Sequence, residues 1–227
     1  MDKAAAWLQA TLNYAFRDPV LLMQALTHRS ASGLSNERLE FLGDAVLDVV
    51  VSEAVYRLQP AATEGDLSRL RASIVRDQSL AAVAAGLGIG DHLILGSGER
   101  KTGGHRRESI LADALEALFG AVYLDAGFPA ARTVIERALG DRLSSLPDAA
   151  DLRDPKTCLQ EWLQSRRRAL PDYELTGISG KAHQQVFEVE CRVDGRTPPT
   201  TGTGSSRRSA EQAAAARMLT MLTGAGE

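Results

Sequence analysis

The residues of this chain best suited to chemistry are carboxylates grouped on helical faces. In Asn36-Glu37-Arg38-Leu39-Glu40-Phe41-Leu42-Gly43-Asp44-Ala45-Val46-Leu47 the apolar residues Leu39, Leu42, Val46 and Val50 recur at helical spacing and predict a buried stripe. At about 100° per residue, Glu37, Glu40 and Asp44 fall within about 60° of one another, so three carboxylates share one face. A second helical pattern turns Leu111, Leu115, Leu118 and Val122 inward and sets Asp113 and Glu116 at i, i+3. Between the two, Thr63-Glu64-Gly65-Asp66 reads as a capping box that puts Glu64 in the first turn of another helix.

A single carboxylate on a helix face is ordinarily solvated surface. Grouped carboxylates repel one another at i, i+4, and the only cation at compensating spacing, Arg38, points elsewhere. A divalent, oxygen-liking cation removes that repulsion. Mg²⁺ suits a shared Asp/Glu site better than zinc does, since no His or Cys stands at ligand spacing, and Mn²⁺ is expected to substitute. Two such ions about 4 Å apart activate water and stabilise a leaving oxygen in phosphodiester hydrolysis.

These side chains need a scaffold, and 227 residues suit two compact units. Apolar residues at 44% and charged residues at 24% describe an ordinary globular chain. No apolar run approaches the ~20 residues of a membrane span, so export and insertion are not expected and the cytoplasm fits best. Cys158 and Cys191 form no CxxC pair and read as reduced core thiols. The balance of 26 basic against 29 acidic residues makes no case for a polyanion-binding tail, so any nucleic-acid reading rests on where charges sit.

Residues 1–146 read as helix after helix. The Asp/Pro-rich stretch 147–153 suits a linker, and 154–223 follow the order α-β-β-β-α. Asp154-Pro155 opens a helix with Leu159, Trp162 and Leu163 on one face. Tyr173 and Leu175, then Phe187, Val189, Cys191 and Val193, alternate with polar residues as half-buried strands do. Thr200 to Gly204 makes a short third strand, and Ala210, Ala214, Met218 and Met221 line one side of a last helix. The fold class expected is an all-α domain followed by a small α+β domain.

Asn36 to Leu47 resembles the signature of the bacterial ribonuclease III family. So do Leu26-Thr27-His28-Arg29-Ser30, Glu64-Gly65-Asp66-Leu67-Ser68-Arg69 and Arg106-Arg107-Glu108-Ser109-Ile110-Leu111-Ala112-Asp113. The resemblance implies a helical endonuclease domain, active as a homodimer, that cleaves double-stranded RNA with Mg²⁺ and leaves 5′-phosphate and 3′-hydroxyl ends with a short 3′ overhang. It implies Glu40, Asp44, Asp113 and Glu116 as the metal-binding catalytic quartet and Glu37 and Glu64 as supporting acids. Processing of ribosomal RNA precursors and other structured transcripts goes with that reading. Asp48 has no role in the family pattern and is left as surface.

Phe41 falls beside the acids and away from the apolar stripe, so its ring is expected to be exposed. It is either a local cover over the acids or, as in the family it resembles, a knob for a second subunit. The segment Ser97 to Arg107 reads as a loop whose Arg100, Lys101, Arg106 and Arg107 are solvated or steer phosphate toward the Asp113/Glu116 helix.

The second domain resembles the double-stranded-RNA-binding domain. Arg207 and Arg208 after Ser206 oppose the dipole of the helix they open, which breaks a local rule. Free N–H groups and guanidinium forks together make a phosphate clamp that explains the choice. The family pattern has a further basic residue where Glu211 stands. Lys181 and His183 lie in the loop that enters the minor groove in the family, and Gln160 and Glu161 match its other minor-groove contact. Arg166-Arg167-Arg168 reads as a solvated helix end.

Two other classes compete. A non-catalytic duplex-RNA binder or ribosome-associated protein would be marked by loss of one of the four acids, all of which are present. A metal-free ribonuclease needs an acid/base pair, and His28, His92, His105 and His183 show no paired spacing, though they could converge in space.

Overall fold

From Ile110 to Val122 every residue is apolar except Asp113 and Glu116, and all the apolar ones are buried. This run forms the central helix of the first unit, so its two acids stand where the surrounding wall opens. The computed structural model describes residues 2–149, 151–181 and 184–224, in two units that part between Leu152 and Arg153.

In the first unit, α1 (Asp2–Leu12), α2 (Pro19–Ala25), α3 (Glu37–Leu58), α4 (Glu64–Val75) and α5 (Asp77–Gly86) share one core with α7 (Glu108–Ser144), and the short α6 (Ser97–Lys101) lies outside that core against the turn that precedes α7. Helix α7 breaks at Gly127, whose φ of 79° lies in the left-handed region, and resumes at Pro129. Just before the break Asp125 accepts hydrogen bonds from the Tyr14 hydroxyl (2.5 Å) and the Arg17 and Asp18 amides, tying the α1–α2 turn to α7.

The crossing of α3 over α7 sets the site. Gly43 and Gly120 face each other there: a Cβ on Gly43 would lie 1.8 Å from the Glu116 carbonyl oxygen, and one on Gly120 would lie 2.2 Å from that of Leu39. Only glycine lets the two backbones approach this closely. On α3 the buried face carries Leu39, Val46, Leu47, Val50, Val51 and Val55. Leu42, expected in that stripe, is only half-buried and borders an outer groove. Thr63 caps α4, its hydroxyl accepting from the Asp66 amide and donating to the Asp66 carboxylate.

Residues 97–107 are not the open loop expected: α6 and a 3₁₀ turn at Gly104–Arg106 occupy most of them. Of the segment 147–153 read as a linker, Ala149 and Leu152 pack against the helical core, as does Leu146 just before it.

The second unit has the order α-β-β-β-α. In it α8 (Pro155–Ser165) and α9 (Arg207–Thr223) cover one face of an antiparallel sheet of β1 (Asp172–Ser179), β2 (Val186–Arg192) and β3 (Thr200–Gly204), in the order β1-β2-β3. Asp154 caps α8 through the Lys156 and Thr157 amides, with Pro155 at the first helical position. Its core holds Leu159, Leu163, Cys191, Val193, Ala214, Ala215 and Met218. Two expected core residues are exposed: Leu175, next to the register shift at Leu175/Gly177, and Met221, which lies beyond the last buried turn. Arg166 and Arg168 are also more than a solvated helix end. The guanidinium of Arg166 stacks 4.0 Å from the Trp162 ring centre, and Arg168 pairs with Asp194.

Candidate metal centre

The Gly43–Gly120 approach puts the acidic face of α3 against the two acids of α7. Glu40, Asp113 and Glu116 each offer a carboxylate oxygen within 4.8 Å of the others. All three are half-buried, and with no positive charge among them each disfavours ionisation of its neighbours. Glu116 is pushed up to about 8, by burial first and then by Asp44, Glu40 and Asp113. Burial and then Asp113 and Glu37 raise Glu40, while Arg29 opposes the shift. Burial and Asp77 raise Asp113, against His28 and Arg29. Asp44, one turn along α3 from Glu40, is exposed and lies outside the three-oxygen group, but its charge acts on Glu116. An all-oxygen set under mutual repulsion fits a hard divalent cation.

The acids border a cavity of about 430 Å³ lined by residues that include His28, Arg29, Asn36, Glu37, Glu40, Glu99, Arg107 and Asp113. Glu37 accepts from the Ser35 hydroxyl and stands 3.5 Å from the Arg29 guanidinium. The counter-charge absent from the helix spacing thus comes from the loop before α3. Arg107 reaches the cavity and pairs with Glu99 at 2.8 Å, whereas its neighbour Arg106 faces a different depression with Asp91 and His105. Asp48 stands 3.9 Å from Arg71.

Glu64 is not brought to this cavity within one chain. It accepts from the Ser68 hydroxyl in a separate depression with Ser52, Tyr56 and Arg71. Phe41 is 80% exposed and lines neither acidic cavity nor core; it borders an outer groove with Leu39, Leu42 and the exposed Leu124. Val49 and Tyr56 continue an apolar face along α3.

In the second unit Ser206 caps α9 in a reciprocal box with Ser209. Arg207 donates through Nε to Glu211 (2.9 Å), whose other oxygen takes Lys156 (2.6 Å), and Arg208 stands 3.8 Å from Asp154. The Glu211 carboxyl is thereby lowered from its ordinary value, by the Lys156 hydrogen bond first. Both arginines remain exposed. Gln160 and Glu161 are exposed on α8 and Lys181 is exposed after β1; His183 lies outside the described residues.

A family model described as Ribonuclease-III-like matches residues 18–143, and one for the double-stranded RNA binding motif matches 155–222. The chain belongs to the ribonuclease III family. Ribonuclease 3 of Alkalilimnicola ehrlichii is 55% identical over 95% of this chain and 94% of its own length, and that of Shewanella denitrificans 51% over 97% of each. The nuclease domain of ribonuclease III from Campylobacter jejuni, in a structure described for flexibility in its dimer-forming region, matches at 45% identity and a TM-score of 0.59. That match covers 61% of this chain and 98% of the other. As a ribonuclease III family member the chain is a ribonuclease with a double-stranded-RNA-binding domain, and no described helix is long and apolar enough to cross a membrane. Asn36, Ser30 and Glu99 were not among the expected site residues. Helical periodicity cannot find them, because the first two precede α3 and Glu99 belongs to a segment read as a loop.

Proposed function

We propose that this ribonuclease hydrolyses phosphodiester bonds of duplex RNA with Mg²⁺, leaving 5′-phosphate and 3′-hydroxyl ends with short 3′ overhangs. The observation that carries this reading is the convergence of Glu40, Asp113 and Glu116, with the charge of Asp44 acting on Glu116, at a cavity that Glu40 and Asp113 line together with Arg29 and Arg107. Glu40, Asp44, Asp113 and Glu116 would hold the metal, which when bound supplies a Lewis acid for the attacked phosphate and lowers the pKa of water. Glu37 holds Arg29 in place at the cavity rim. Arg107, positioned by Glu99, offers a guanidinium to the phosphate, and the half-buried walls limit competing water.

Binding and cutting are divided between the two units. Arg207, Arg208 and Ser206 at the start of α9 clamp phosphates across the groove, while Gln160 and Glu161 of α8 and Lys181 and His183 meet the minor groove. Phe41 and the apolar face of α3 dock a second copy of the chain. Glu64, beside Tyr56 at the far end of that face, would then support the site across the subunit boundary. Ribosomal RNA precursors and other structured transcripts, in the cytoplasm, are the expected substrates.

Incubating the protein with a long RNA duplex, with Mg²⁺ or with EDTA, and mapping the product ends tests this reading. Cleavage that survives EDTA, or ends bearing cyclic or 3′-phosphates, would overturn it in favour of metal-free chemistry through the 2′-hydroxyl.

A further inference from the structure

The same cavity carries two further side chains able to donate hydrogen bonds, Asn36 and His28. Asn36 is 2% exposed, and its Nδ2 amino group has no hydrogen-bond acceptor among the described residues. It precedes α3 in the capping position, yet its side chain makes no cap hydrogen bond. Its backbone is fixed, the amide donating to the Thr27 carbonyl at 2.8 Å. A buried amide left without a partner is costly, on the order of 1–3 kcal/mol, and such a group in a cavity wall calls for a ligand acceptor.

The second donor is His28. Its Nδ1 accepts from the Ser30 amide (3.2 Å) and lies 2.8 Å from the Ser30 hydroxyl, whose oxygen accepts from the Gly96 amide. With Nδ1 occupied as an acceptor, Nε2–H is the donor edge left for the cavity that His28 lines. Segment 27–30 is itself pinned by the parallel bridge of Thr27 with Ile94 and by the His28 amide on the Ile94 carbonyl. Both donors are therefore held on hydrogen-bonded backbone in the wall of the cavity that Glu40 and Asp113 also line.

We propose that Asn36 Nδ2 and His28 Nε2 donate hydrogen bonds to an oxygen of the phosphodiester being cut, as substrate contacts distinct from the acidic residues. This inference rests on the duplex-RNA reading above. The ligand class follows from the donors: the unpartnered Asn36 Nδ2 and the His28 Nε2–H, in a cavity that also holds the Arg29 and Arg107 guanidiniums, select an anionic oxygen.

The test uses the full-length protein, a short RNA duplex, single-turnover cleavage in Mg²⁺, gel-shift affinity in EDTA and thermal melting. Asn36→Ala removes an unpaired donor, so its melting temperature should stay at or near that of the unsubstituted protein while cleavage falls on the order of 10²-fold, the loss typical of an oxyanion donor. Affinity should change far less than rate, because the basic groups of the second unit dominate it. For His28 two variants separate contact from strut. His28→Asn retains a group near Nδ1 and loses the cavity donor; His28→Gln does the reverse. His28→Gln should cut at least ten times faster than His28→Asn.

Wild-type cleavage by Asn36→Ala, a rate loss matched by lost folded protein, or His28→Asn equal to or faster than His28→Gln would each overturn the proposal. If Asn36→Ala does not fold, the two His28 variants decide alone. Should the unsubstituted protein not cut duplex RNA in Mg²⁺, the duplex-RNA reading falls and the proposal falls with it, a result distinct from failure of the variants alone.

Discussion

Gly43 of α3 and Gly120 of α7 meet backbone to backbone, and that contact fixes the distance between the two acid-bearing helices. Gly43→Ala would drive a methyl group into the Glu116 carbonyl, so it should destabilise the first unit by about 1–3 kcal/mol or more and spread the carboxylates. Urea unfolding and Mg²⁺ titration measure the two effects. Gly140, also on α7 but with open space around it, is the control: Gly140→Ala should raise stability by about 0.5–1 kcal/mol.

The acids themselves were legible in the sequence because their grouping is a local property. A period of 3.6 puts Glu37, Glu40 and Asp44 on one face and Asp113 with Glu116 on another, whatever the rest of the chain does. Periodicity does not say that the two faces meet. That depends on a glycine in each helix, and a glycine in a helical pattern looks like a weak point until its partner is known. Arg29, which compensates Glu37, comes from a separate element and has no spacing to reveal it. Leu175 and Met221 follow the apolar periods, yet the register shift in β1 and the end of the packed part of α9 leave them outside the core. The placement of Glu64 away from the cavity is likewise tertiary.

Protonation of Glu116 couples metal binding to pH. In the folded, metal-free protein it holds its proton up to about pH 8, whereas in the unfolded chain it releases it near its ordinary value of 4.5. The folded state therefore binds more protons over this interval. The Glu116 contribution to stability is complete below about pH 4.5 and is lost as pH rises through about 8. Mg²⁺ competes with that proton, so its affinity should increase with pH up to about 8, with proton release on binding. Calorimetry in buffers of different ionisation enthalpy, beside melting curves with and without Mg²⁺, checks the sign; Mg²⁺ affinity independent of pH from 6 to 8.5 would contradict it.

Glu116→Gln keeps the shape of the side chain and removes the charge of a proposed metal ligand. Single-turnover cleavage should collapse by several orders of magnitude, while duplex affinity stays equal or improves slightly, because in the proposed complex the carboxylate would lie near phosphate. Gel shift and cleavage across a Mg²⁺ series separate these outcomes. Near-normal cutting at low Mg²⁺ would remove Glu116 from the metal centre.

Phe41→Ala should weaken self-association if the exposed ring docks into a second copy. Loss of a buried Phe contact costs about 3–5 kcal/mol, so the dimer dissociation constant should rise by roughly 10² or more. Sedimentation velocity over a dilution series reads this directly, and a dimer unaffected at low concentration would leave Phe41 without that role.

Removing residues 153–227 leaves the first unit with its own core. The shortened protein should still cut duplex RNA at low ionic strength, with affinity lowered at least tenfold near physiological salt. Equal affinity of the two forms would mean that the second unit is not the principal tether.

If the arginines of α9 clamp phosphate as proposed, the carboxylates paired with them change what an RNA duplex gains by binding there. Glu211 beside Arg207 and Asp154 near Arg208 already act as counterions built into the protein. When a phosphate arrives, part of each arginine's charge is still neutralised from its own side. The duplex then sheds fewer condensed cations than the number of guanidiniums would suggest. Entropy from released salt is correspondingly smaller, and the plot of log affinity against log salt is shallower than one cation per arginine. Glu211→Gln should steepen that slope while leaving the number of arginines unchanged.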